Sequence, residues 1–260
     1  MVIIILPFVV FAICLFGTWF ITSRYEHKFA YPIKEILVDL IGKSQAFHIP
    51  EEPLQAEHRK EPLYYKIEFS KIFEKGFQMD LSRLMANLIK RSGVTFDRLI
   101  GVESKKGEDQ PIREKYSVVP ILSAIMKKPY AVIVEIVDSK QFVCEGEVQR
   151  GETVIIIDDV LTTGVSIITA AEYLRENFKN IKVTHAFAFA ARYPYDEGGL
   201  EGAKKKLLDH GIELHTIIDN VNLVDRLYGR KYITLGQLRY VSRDRDLVES
   251  PVLERFKNNE

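Results

Sequence analysis

From Met79 onward the apolar positions of this chain switch between two repeats, and the switching outlines an architecture. Leu81, Leu84, Met85, Leu88 and Ile89 recur at helical spacing within residues 79–91, and Gly93 can close that helix. A short strand RLIGVE follows, then a helix VVPILSAIMKK and a strand YAVIVEIV. The pattern repeats as strand TVIIIDDV, helix SIITAAEYLRENF, strand VTHAFAFAA, helix GLEGAKKKLLDHG ending at Gly211, and final strand ELHTIID. Strands that are apolar on both faces and alternate with helices predict an α/β fold, a doubly wound, mainly parallel sheet with helices on both faces. Right-handed crossovers leave a ligand crevice at the carboxyl ends of such strands.

The first part of the chain reads differently. Val2–Thr22 carries no charge, and a helix of about 20 apolar residues spans a bilayer. A secretory signal needs a basic start, a shorter apolar core and a small-residue cleavage site, whereas this run ends at Trp19 and Phe20 with Arg24 and Lys28 after it. The expectation is one N-terminal transmembrane helix in the lipid bilayer (residues 2–22), a single-pass membrane localisation, and the remainder on the cytoplasmic side. Residues 44–62, SQAFHIPEEPLQAEHRKEP, are rich in proline and charge and read as a linker. The expected organisation is an anchor over 1–23, a juxtamembrane helix and linker over 24–62, a domain over 63–248 and a polar tail over 249–260.

Composition removes some classes of function. Basic and acidic residues are balanced at 36 each, so bulk charge does not suggest nucleic acid as a partner. With Cys14 in the apolar run and Cys144 alone, no internal disulfide framework is expected. The six histidines show no metal-ligand spacing, and His210 and His215 read as flanking a turn.

Candidate chemistry concentrates in VIIIDDVLTTGVS, residues 154–166. Asp158 and Asp159 end a strand where the crevice should open, so their carboxylates can accept bonds from sugar hydroxyls or help hold a hydrated Mg²⁺. The turn Thr162-Thr163-Gly164 leads into a helix near Ser166, which presents free backbone N–H groups and a positive dipole end to an anion. Together these describe a pocket for a phosphorylated sugar. Two other readings compete. A strand ending in two acids is also the Mg²⁺-side motif of P-loop ATPases, but the only Gly-Lys-Ser, at Gly42, has Leu37 in place of the first glycine. A turn and helix cap with no ligand explains Ser166 alone, not the acids and paired threonines with it.

The same stretch resembles the phosphoribosyl diphosphate signature of the type I phosphoribosyltransferases. DRLIGVESKKG with VVPILSAIMKKPYAVIVE, CEGEVQRGETVIIIDDV, and AARYPYDEGGLEGAKKKLLDHGIEL are similar to the orotate phosphoribosyltransferase pattern, over about residues 97–219. The resemblance implies a homodimer that takes Mg²⁺-bound phosphoribosyl diphosphate and a pyrimidine-type nitrogen base such as orotate, and releases diphosphate. It implies that Asp158 and Asp159 bind the ribose hydroxyls and steady developing positive charge, Asp158 also being a candidate Mg²⁺ contact. Thr162, Thr163, Gly164, Val165 and Ser166 would hold the 5′-phosphate, Arg192 the orotate carboxylate, and the Val102–Gly107 loop would lie near the diphosphate.

The chain departs from that pattern in places that bear on catalysis. Where the family places an Arg-Lys pair after the strand ending near Val134, this chain has Glu135 and Ile136, and Lys140 is the lysine left before Glu145. Lys140 is therefore the candidate catalytic cation, with Lys105, Lys106 and Arg113 in the charged loop ESKKGEDQPIREKYS as substitutes. Three functions follow: a membrane-tethered phosphoribosyltransferase of pyrimidine nucleotide metabolism, a non-catalytic sensor of phosphoribosyl diphosphate or a nucleotide at the membrane, or a scaffold without ligand.

Overall fold

The structure, a computed structural model, describes residues 33–55, 62–105, 118–136, 141–192, 199–244 and 247. The chain divides into two compact units, Met1–Ile36 and Leu37–Glu260. Of the first, residues 33–36 are described, and they are helical.

The second unit opens with helical residues 37–44 (α1) and continues as strands β1 (Phe47–His48) and β2 (Lys66–Ile67), helices α2 (Phe69–Glu74) and α3 (Gln78–Ser92), and strand β3 (Arg98–Lys105). Next come α4 (Val119–Met126), β4 (Tyr130–Ile136), β5 (Gln141–Glu145), β6 (Thr153–Leu161), α5 (Val165–Asn177), β7 (Lys182–Ala191), α6 (Gly199–Asp209), β8 (Glu213–Asp219), α7 (Asn220–Gly229) and α8 (Leu235–Val241).

Six strands form one sheet in the order β5-β4-β3-β6-β7-β8, parallel throughout except for the β4–β5 pair. The expected α/β architecture is present. Branched apolar runs in β4 and β6 are buried because helices cover the sheet from both sides. On one side Ile167, Ala171 and Leu174 of α5 and Leu207 of α6 pack on Ile156, Ala186 and Ala188. On the other, α2 stacks Phe69 on Phe189 of β7 at 5.3 Å, and α3 lies against β7 and β8 with Leu81, Leu84, Met85 and Ile89 buried. Gly93 ends α3 in the left-handed conformation at φ 69°, as its place after the apolar stripe predicts.

The register locates the crevice. β3 pairs with β6 only from Arg98↔Val154 to Gly101↔Ile157. Beyond that point β3 continues along β4 as far as Lys105↔Ile136, and β6 continues along β7 as far as Leu161↔Ala191. The two central strands part where the winding of the sheet reverses, which is where open α/β sheets hold their ligands.

Other parts of the unit were not visible in the hydrophobic pattern. Within residues 44–62, Phe47 and His48 pair with Ile67 and Lys66, and Leu54 bridges to Leu63. Gly42, rejected above as part of a phosphate loop, has a packing role: a Cβ there would come within 2.3 Å of the Tyr232 ring. Tyr232 and Arg230 in turn donate to Asp39 of α1.

The membrane expectation is corrected. The apolar run Val2–Thr22 lies outside the described residues. Among the described residues no helix is long and apolar enough to cross a membrane. On that finding the single-pass localisation is withdrawn, and with it the bilayer as partner.

Candidate functional site

Asp158 and Asp159 are the first residues of β6 past its pairing with β3, so they stand on the wall of the opening crevice. That crevice is an open cavity of about 600 Å³. Ile157, Asp158, Asp159, Val160 and Ser166 line one side, Gly101, Val102 and Glu103 of β3 with Glu135 of β4 another, and Val118 and Val119 at the start of α4 close it. The remaining wall is Lys66, Ile67, Glu68, Phe69, Ser70 and Phe73.

The two aspartates are turned on their own backbone. Asp158 Oδ1 accepts from the N–H of Asp159 at 2.8 Å, and Asp159 Oδ1 accepts from the N–H of Val160 at 2.6 Å. Enclosure by the cleft pushes the Asp158 carboxyl well above the usual carboxylate range, and the neighbouring charge of Asp159 adds to the rise. Enclosure also raises Asp159, although its side chain remains accessible from the mouth of the cleft. Two crowded acids facing a cavity are a donor set of hard oxygens suited to a cation or to hydroxyl donors.

The turn that follows is set by one glycine. Gly164 takes φ 74°, which places Val165 as the first helical residue, and a Cβ at Gly164 would touch Leu207 of α6 at 3.4 Å. Thr163 Oγ1 accepts from the Val165 N–H at 3.4 Å. The first regular helical bond of α5 is from the Ile168 N–H to the Gly164 carbonyl at 3.0 Å, so the N–H groups of Val165, Ser166 and Ile167 precede the ladder. Thr162, Val165 and Ser166 are exposed, and Thr163 is partly so. Residues 158–166 thus come together as the spacing predicts: acids, bend, helix start.

Arg192 does not join them. It is buried, donates Nη2 to Asp244 Oδ2 at 2.6 Å and Nη1 to the Tyr65 carbonyl at 2.8 Å, and lies 4.2 Å over the Tyr65 ring. It therefore ties the end of β7 to the segment before β2 and to the residues after α8. It is not among the residues lining the cavity. Lys140, Lys106, Gly107 and Arg113 lie outside the described residues.

Sequence reasoning missed the wall built from residues 66–73. Lys66, the one cation of that stretch among the lining residues, is held by Glu68, which also takes Lys71 at 2.9 Å. The Lys66 bond is the larger influence holding the Glu68 carboxyl down at about 2. The motif LYYKIEFSKIF carries the signal only weakly, since its alternation is short and its helix is a turn and a half. Glu103 of β3 and Glu135 of β4 add two further acidic residues to the cavity lining.

No family model matches the chain. The orotate phosphoribosyltransferase of Pyrococcus furiosus is 28% identical over 145 residues, which is 52% of this chain and 68% of the relative. That of Pyrococcus horikoshii is 28% identical over 166 residues, 60% of this chain and 75% of the relative. Among solved structures, the orotate phosphoribosyltransferase from Aeropyrum pernix superposes with a TM-score of 0.56 at 20% identity, covering 74% of this chain and 98% of that one. The structural likeness shows the fold, and the sequence likeness narrows the group. In sequence this chain resembles the orotate phosphoribosyltransferases, and it shares their fold.

Proposed function

We propose that this chain binds Mg²⁺-phosphoribosyl diphosphate in the crevice between β3 and β6 and transfers the phosphoribosyl group to a pyrimidine-type base such as orotate, with release of diphosphate. The observation that carries the reading is the position of Asp158 and Asp159 on the cavity wall at the point where β3 and β6 part, directly ahead of the Gly164 turn and the start of α5. The carboxylates accept from the ribose hydroxyls, and the N–H groups at the start of α5 with the Thr162, Thr163 and Ser166 hydroxyls take the 5′-phosphate. As the bond to diphosphate breaks, positive charge grows on the sugar ring, and carboxylates already fixed beside it lower the barrier without reorganising. Mg²⁺ would neutralise part of the diphosphate charge when bound, and the oxygen donors of the acid pair suit it. The reading includes a homodimer.

A second reading has a specific observation behind it. The cavity lining includes Glu103 and Glu135, and Lys66 is the one cation among the described lining residues. With so few cations to stabilise a departing diphosphate, phosphoribosyl diphosphate or a nucleotide would be bound without turnover. Diphosphate release separates the two. Mixing the full chain with phosphoribosyl diphosphate, Mg²⁺ and orotate should release diphosphate in proportion to orotate consumed. Tight binding with no diphosphate released would favour the sensor.

A further inference from the structure

Two histidines that are far apart in the sequence meet in the folded sheet. His185 of β7 stands beside Glu213 of β8 in register, and Phe187 stands beside His215. Neighbours in register on parallel strands share a face, as do residues two apart on one strand, so all four side chains lie together. The His185 and His215 rings stack at 5.5 Å, and His215 lies flat on Phe187 at 4.7 Å.

Both imidazoles turn Nε2 toward the same carboxylate. His185 Nε2 is 3.6 Å from Glu213 Oε2, and His215 Nε2 is 3.6 Å from Glu213 Oε1. One ligand atom from each of the three residues lies within 4.8 Å of the others. These separations are too long for hydrogen bonds. Each 3.6 Å separation, to its own oxygen of Glu213, is close to the spacing of about 3.3–3.4 Å between ligand atoms placed tetrahedrally at about 2.0–2.1 Å from a metal, and small side-chain rotations would bring the set together. His185 Nδ1 is 2.8 Å from Thr184 Oγ1, a contact that orients the ring from behind, as outer partners of metal-bound histidines do. His215 Nε2 is buried and makes no hydrogen bond among the described residues.

We propose that His185, Glu213 and His215 form a binding site for a divalent transition-metal ion of the zinc class, bridging β7 and the edge strand β8. Two imidazoles and a carboxylate suit zinc better than Mg²⁺, and three protein ligands leave a fourth position for water. The site lies toward the amino ends of its strands, at the opposite end of the sheet from the cleft, so the two would be loaded independently. A bound ion would tie the edge strand to its neighbour.

The test uses the full chain stripped with a chelator and titrated with Zn²⁺ in a calorimeter, followed by X-ray absorption of the zinc-loaded protein. Expected are one tight zinc per chain, two imidazole nitrogens at about 2.0–2.1 Å in the absorption spectrum, and no competition from Mg²⁺. Glu213→Gln, at an exposed position, and His215→Ala should each weaken uptake tenfold or more while circular dichroism stays unchanged for Glu213→Gln. Zinc binding that survives in both variants but is lost in Asp158→Asn would assign the ion to the cleft acids and overturn the proposal. Absence of uptake would overturn it as well, leaving two histidines that share one carboxylate.

Discussion

Asp158 carries a cost in the free protein that the proposed ribose contact would offset in the bound one. Its folded-state carboxyl holds a proton to higher pH than the same group in the unfolded chain, because the cleft and Asp159 oppose ionisation. Between the ordinary carboxylate value and that raised value the folded state binds more protons, so stability falls as pH rises through the interval. Asp158→Asn should therefore melt higher than wild type at neutral pH, with the gap closing in acid, measured by thermal unfolding across pH. The same variant should bind phosphoribosyl diphosphate more weakly, and wild-type affinity should rise with pH as the acid pair ionises. Asp159→Asn removes a charged acceptor and should weaken binding by about 1.5–3 kcal/mol, read by titration calorimetry. Ser166→Ala should cost less, since the backbone N–H groups at the start of α5 remain. Gly164→Ala forces a side chain into a left-handed position and against Leu207, at about 1–2 kcal/mol of stability, measured by urea unfolding.

At the scale of elements, the long periodic segments were legible and the short ones were not. β4, β6, β7, α3 and α5 are marked by apolar repeats because each buries a continuous stretch or face against the core. β5 was missed because its edge position exposes alternate residues, and β1, β2 and α2 because two-residue strands and a six-residue helix have no room for a period. α7 and α8 follow the strand expected to be the last; their cues are caps, with Asp219 accepting from the Asn222 N–H and Thr234 forming a reciprocal cap with Gln237. The acids, bend and helix start were readable since they are consecutive. The His185–Glu213–His215 cluster was not, because register across two strands assembles it. Arg192 shows the limit of carrying roles from a motif: its position matches, but its guanidinium is engaged elsewhere. Arg192→Ala should leave Asp244 buried without this partner and destabilise the protein by about 3–5 kcal/mol. A loss of orotate affinity with unchanged stability would instead return Arg192 to the base.

Over the whole molecule, net charge is zero but the cavity is not neutral, with Glu68, Glu103, Glu135, Asp158 and Asp159 around Lys66. If the proposed anionic ligand enters such a cleft it should arrive with a cation, and the Mg²⁺ dependence expected on that proposal would follow from the charge layout rather than from one residue. Omitting Mg²⁺ should then weaken phosphoribosyl diphosphate binding far more than binding of ribose 5-phosphate. Whether the crevice between β3 and β6 is a phosphoribosyl site is decided by titrating the full chain with phosphoribosyl diphosphate in Mg²⁺, beside Asp159→Asn. Saturable binding at one ligand per chain is expected, weakened about tenfold to a hundredfold in the variant. No binding, or equal affinity in the two proteins, would contradict that assignment.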